Sequence, residues 1–174
     1  GWYAKVQFEE EGIGSPWVSY RQLLIDLRAY SGGTAASIGG RLATALSFGR
    51  VPPYDRVYLG YEERVRGHFF TRREGEGQAL FSLEWKHVLL PLRYWDSPLP
   101  SVLLPTLKFG LNLALFADGG VVWRQGQLPW RLRWLRGCGA GLHLRLPYIE
   151  VLRLEAAVNE KGRLQAIVDI GSSF

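Results

Sequence analysis

Long apolar runs are missing from this chain, and with them every structure that depends on such runs. No stretch approaches the roughly 20 consecutive apolar residues that a membrane-spanning helix needs, although hydrophobic residues make up 47% of the sequence. The opening decapeptide, GWYAKVQFEE, has no basic region followed by an apolar stretch, so no signal peptide is expected in it. Cysteine occurs once, at Cys138, which excludes a disulfide within the chain. The three histidines, His68, His87 and His143, are scattered, with no zinc-type spacing. Neither metal nor cofactor is therefore expected. The glycines of GRVPPYDRV and SGGTAASIGG lack the Lys-Ser/Thr signature of a phosphate loop. Ser172 and Ser173 have no base at a recognisable spacing. The chain is read as non-enzymatic, with a lipid-modifying enzyme on a small barrel as the alternative.

What the sequence does have is a period of two. Trp2, Ala4, Val6 and Phe8 alternate with Tyr3, Lys5, Gln7 and Glu9. Ala79, Phe81, Leu83 and Trp85 alternate with Leu80, Ser82, Glu84 and Lys86. From Lys108 to Asp118, from Gly139 to Leu146, from Leu152 to Val158 and from Gln165 to Phe174, one parity is apolar and the other small, polar or charged. Trp17 to Tyr30 and Thr34 to Phe48 follow less cleanly. This is strand patterning. It implies an all-β chain of about eight strands, with no helix and no domain boundary.

Two features point to lipid as the solvent of the apolar parity. The strands exceed the roughly 5 to 6 residues typical of globular sheets and match the roughly 9 to 11 that cross a bilayer. Trp2, Trp17, Tyr30, Tyr94, Trp95, Trp123 and Tyr148 flank the apolar faces, as interfacial aromatic girdles do. The expected fold is a membrane-spanning, antiparallel up-and-down barrel over residues 1–174, with long outer loops at about 50–77 and 119–135. The segment from Pro91 to Pro105 is a misfit, because it falls where a short turn belongs. A soluble β-sandwich is the competing fold.

Four residue patterns then resemble one family. The loop stretch ERVRGHFF carries Val65-Arg66-Gly67. Phe116-Ala117-Asp118-Gly119-Gly120 reads as Phe-x-Asp-x-Gly on a later strand. Glu84 lies on the strand directly after the loop, and Phe174 ends the chain with an aromatic residue. In order and spacing these resemble the C-terminal eight strands of the BamA-like superfamily of outer-membrane barrels, the bacterial surface antigen family. The resemblance implies that the loop tip tucks inward and that Arg66 docks on Asp118 with Glu84 nearby. It implies that Phe174 is read by the barrel-assembly machinery as an insertion signal. It places the chain in the outer membrane of a diderm bacterium, related to barrels of membrane-protein insertion and secretion, with a minimal form that acts on or is anchored in the outer leaflet as the expected role. Family barrels have sixteen strands. Closure of one chain on itself is the expectation here. Two chains completing a ring, or half of a larger transport barrel, are the alternatives. A closed eight-stranded ring fills with its own side chains, so the tip is expected near the outer mouth.

The net charge is +5. Arg72 and Arg73 in one long loop, and Arg124, Arg131, Arg133 and Arg136 in the other, are candidates for lipid-phosphate contacts. Outer-membrane lipid or lipopolysaccharide is the expected partner, with a homodimer as a further possibility and no nucleic acid.

Overall fold

The computed structural model describes residues 1–12, 17–60, 63–96, 106–147 and 149–171. Ten strands occur among them: β1 (Trp2–Glu11), β2 (Ser19–Gly32), β3 (Ala36–Arg50), β4 (Val57–Leu59), β5 (Arg73–Gly75), β6 (Gly77–Asp96), β7 (Thr106–Trp123), β8 (Leu135–Leu146), β9 (Ile149–Asn159) and β10 (Leu164–Ile170). Eight form one antiparallel sheet in the order β1-β2-β3-β6-β7-β8-β9-β10. Each sheet strand pairs with its neighbour in sequence, except that β3 pairs with β6 across the insertion that holds the β4–β5 hairpin. No α-helix occurs among the described residues.

The alternation fixes two unlike faces. On β6, Gln78, Leu80, Ser82 and Glu84 are buried, while Phe81, Leu83 and Trp85 between them are exposed. On β8 and β9 the same rule exposes Leu142, Leu154 and Val158 and buries His143, Arg153 and Glu155. On β10, Val168 is 72% exposed while its neighbour in sequence, Ile167, is buried. A sheet with one face on water normally puts its polar residues outside. This one is inverted: its charged residues line the covered face and its large apolar side chains lie bare.

The insertion between β3 and β6 covers the inner face. Leu59, Val57 and Val65 from it pack with Ala43, Ala45, Leu80, Val122 and Leu135 into one apolar cluster near the loop end of the sheet. A second, smaller cluster joins Phe116, Ala157 and Ile167.

One expectation needs correcting. The chain does not close on itself: β1 and β10 are the two ends of the sheet, and no ladder joins them among the described residues. Bringing them together would require shrinking a concavity that the insertion and its apolar cluster already fill. The loop tip lies near the loop end of the sheet, with Arg66 on Asp118. Val65 is 1% exposed there, in the apolar cluster with Leu59, Val122 and Leu135. Of the Pro91 to Pro105 misfit, residues 91–96 are strand and 97–105 lie outside the described residues. β6 runs on to Asp96 through register shifts between Val88 and Leu90 and between Leu90 and Arg93. A proline is admitted into a strand at such bulges.

Candidate functional site

The tip of the insertion runs across the concave face from Glu63 to His68, and each polar side chain in it meets a wall residue. Arg66 is the hub. Its Nε donates to Asp118 Oδ2 at 2.7 Å and its Nη2 to Asp118 Oδ1 at 2.9 Å. Its backbone N–H reaches Asp118 Oδ2 at 3.2 Å. Nη1 donates to Glu84 Oε2 at 2.7 Å and lies 3.4 Å from Glu155 Oε1. The guanidinium carbon sits 3.6 Å from the centroid of the Phe116 ring. Arg66 is only 8% exposed and Glu84 only 2%. A guanidinium fork suits this setting because it answers two carboxylates in one plane and stacks on an aromatic face.

Charge is balanced outward from that hub. Lys86 Nζ holds the second Glu84 oxygen at 2.7 Å. His143 Nε2 lies 2.9 Å from Glu155 Oε1, and Arg153 Nη1 lies 3.6 Å from the same oxygen. Arg153 also reaches Asp169 Oδ2 at 2.7 Å, where Arg64 of the insertion arrives at 2.6 Å. On the other flank Arg41 joins Glu63 of the insertion at 2.6 Å to Asp26 at 2.9 Å, and Arg28 shares Asp26. The network therefore runs from β2 to β10, tied at three points to one loop.

Backbone fit explains the glycines. Gly67 has φ +92°, a conformation side chains resist. It lets the chain turn beside Asn159, whose Nδ2 donates to the Gly67 carbonyl at 3.1 Å. A Cβ on Gly120 would stand 2.8 Å from Leu59 Cδ2 and 2.9 Å from Val65 Cγ2. The far end of the tip is fastened by His68, whose Nε2 lies 2.7 Å from Glu160 Oε2.

Sequence reasoning missed several participants. Glu155 and His143 share the inward parity, but nothing in their spacing marks them as neighbours of Arg66. Gly137 is the least visible: a Cβ there would lie 1.8 Å from the Arg66 carbonyl oxygen. The close approach needs glycine, and only the strand register reveals it. Asp118 stands opposite Gly137 on the neighbouring strand.

Glu84, His143 and Glu155 offer ligand atoms within 4.8 Å of one another. That spacing admits a cation, and the protein already supplies one, since Arg66 Nη1 faces both carboxylates.

The loop arginines divide. Arg73 Nη1 donates to the Arg133 carbonyl at 2.7 Å, Arg56 faces Glu74 at 3.2 Å, and Arg72 is engaged within the protein. The guanidinium groups of Arg124, Arg131, Arg133 and Arg136 have no carboxylate partner among the described residues, and all four side chains are exposed. Tyr148, Ser172, Ser173 and Phe174 lie outside the described residues, and so does the insertion signal expected at Phe174. Comparison with family models, curated proteins and solved structures gives no match to this chain.

Proposed function

We propose that this sheet is half of a membrane-spanning β-barrel of the BamA-like type, resident in a bacterial outer membrane, and that the Arg66 loop is its internal brace. The observation that carries this reading is the inverted sheet. Large apolar side chains on all eight sheet strands are exposed, from Phe8 on β1 to Val168 on β10. In water such a surface far exceeds what a soluble monomer tolerates. Against lipid tails it is the expected exterior, and the buried charge network becomes the expected interior. Exposed aromatics Trp2, Tyr30, Tyr94 and Trp95 gather at the turn end of the strands, and Trp17 at the opposite end.

Hydrocarbon does not accept an open sheet edge, so β1 and β10 call for further strands, supplied by a second copy or by more of a larger barrel. The network makes no case for catalysis. Its buried carboxylates, Asp118, Glu84 and Glu155, are each engaged by arginine, lysine or histidine neighbours, and a carboxylate held in this way is a poor general base. The role that remains is that of a barrel wall used in inserting or exporting proteins, with the loop fixing its inner shape.

Flotation on a density gradient tests the membrane assignment. The full chain, diluted from denaturant into phospholipid vesicles, is expected to float with them, resist alkaline extraction and show β-sheet circular dichroism. A monodisperse, stable protein in detergent-free buffer overturns the assignment.

A further inference from the structure

The outer wall is not uniformly smooth. At the loop end of β6 to β9 it is dented by a groove of about 730 Å3, within the roughly 300–1,000 Å3 range of small-molecule sites. Its floor is made of small residues, Ala117, Gly119 and Cys138, and its walls are Phe81, Trp134 and Val158. The Trp134 wall is held in place, since its Nε1 donates to the Pro129 carbonyl at 3.3 Å.

One cation stands on the rim. Arg136 lines the groove, is exposed, and has no side-chain partner among the described residues. Two carboxylates, Asp118 and Glu160, also line the groove but are engaged elsewhere, Asp118 by Arg66 at 2.7 Å. Glu160 is turned to His68 at 2.7 Å and accepts the Arg136 backbone N–H at 3.3 Å. The groove is therefore apolar along its length and positive at the end where the strands meet the loops.

Resting on the membrane reading above, we infer that this groove holds one acyl chain of an anionic phospholipid, with the lipid phosphate on Arg136. The two halves of the site match the two halves of such a lipid. The apolar trough removes the tail from contact with mobile neighbours. The guanidinium offers a forked pair of donors to the phosphate oxygens. The position agrees as well, because phosphate groups lie at the level where spanning strands give way to loops.

The test uses the full chain in vesicles of phosphatidylcholine with phosphatidylglycerol, extracted into mild detergent, with retained lipids counted by native mass spectrometry. Wild type is expected to keep one phosphatidylglycerol per chain. Arg136→Ala should lower that retention about tenfold, the equivalent of one charge-assisted hydrogen bond, while Arg136→Lys keeps most of it. Gly119→Leu fills the trough and should lower retention similarly. A Cβ at Gly119 meets only Trp134 Cε3 at 3.8 Å and the Leu135 carbonyl at 3.9 Å, so the backbone need not move. Arg145→Ala removes the same charge at the opposite end of β8 and should match wild type. Wild-type retention that survives both Arg136→Ala and Gly119→Leu overturns the groove assignment while leaving the membrane reading intact. The same holds if wild type retains no phosphatidylglycerol. Failure of the wild-type chain to float with the vesicles overturns both.

Discussion

Arg66 is a single buried cation answering three carboxylates, so the energetics of its removal differ from those of an isolated pair. Arg66→Ala leaves Asp118, Glu84 and Glu155 facing one another, with Lys86, His143 and Arg153 as the remaining compensation. Breaking a buried pair from one side costs about 3–5 kcal/mol, and this variant belongs at the upper end. Asp118→Ala removes the bidentate partner and should cost less, because Glu84 and Glu155 still satisfy Nη1. The double variant is expected to be milder than the sum of the singles, but it cannot return to wild type while two carboxylates stay uncompensated. Glu84→Gln should be comparable to Asp118→Asn, since both carboxylates approach the guanidinium to 2.7 Å. From the sequence, Asp118 looks the closer partner by strand height, and register alone cannot show that the two arms of one guanidinium reach both. Urea unfolding in detergent, as a double-mutant cycle, gives the answer; strict additivity would mean that the pair carries no coupling. Gly137→Ala is a second residue-level test. The added methyl meets a backbone carbonyl rather than a flexible side chain, so the loop must shift, at about 1–3 kcal/mol. Limited proteolysis should then cut faster between residues 63 and 70. A cleavage rate equal to that of wild type would show that the tip is not held where it lies.

At the scale of elements, the insertion behaves as a strap with a fastening at its tip, where His68 and Gly67 meet Glu160 and Asn159. Burial pulls the Glu160 carboxyl upward. Its own backbone N–H, that of Arg136 and the His68 ring outweigh this and hold its pKa below the usual carboxylate value. A carboxyl depressed in the folded state contributes stability above its unfolded pKa, and that contribution is lost as pH falls through the folded value. The fastening should therefore hold at neutral pH and loosen in acid, below the ordinary glutamate range. Amide exchange at residues 66–71 should rise over that window in wild type and show a much weaker pH response in Glu160→Gln. An identical pH response in the two proteins would remove Glu160 from the fastening. The eight sheet strands were legible because sustained alternation of apolar and polar residues suits a strand and no helix, although β2 and β3 showed it less cleanly. β4 and β5 were not, since three residues are too short to show a parity. The extension of β6 past Pro91 was hidden because each bulge resets the alternation that would reveal it. Arg66, Asp118 and Glu84 were legible only together, through their resemblance to a family pattern. Asn159 and Glu160 were not legible, because a turn residue that fastens a loop looks like any other polar turn residue.

For the whole molecule, the decisive feature is a pair of open edges on a sheet whose outer face suits lipid. Each edge presents unpaired backbone donors and acceptors along β1 or β10, and in hydrocarbon each such group costs several kcal/mol. The count of strands says how the edges can be satisfied. With eight strands in alternating directions, β1 and β10 run antiparallel to each other. A second copy related by a two-fold axis along the barrel then continues the antiparallel alternation at both seams. Sixteen strands also give a lumen wide enough to keep the insertion inside, which a closed eight-stranded ring does not. The chain alone in mild detergent is accordingly expected to be a dimer or a larger assembly, not a monomer. The even strand number brings its two ends to the same side of the sheet, so two copies joined in tandem by a short flexible linker should fold as a monomer. That tandem chain should migrate faster on unheated than on heated gels, the mark of a closed barrel. Light scattering of both proteins, with amide exchange on β1 and β10, reads the result. Strong protection of both edge strands in a monomeric single chain would mean that one chain closes on itself, and the half-barrel reading would fall.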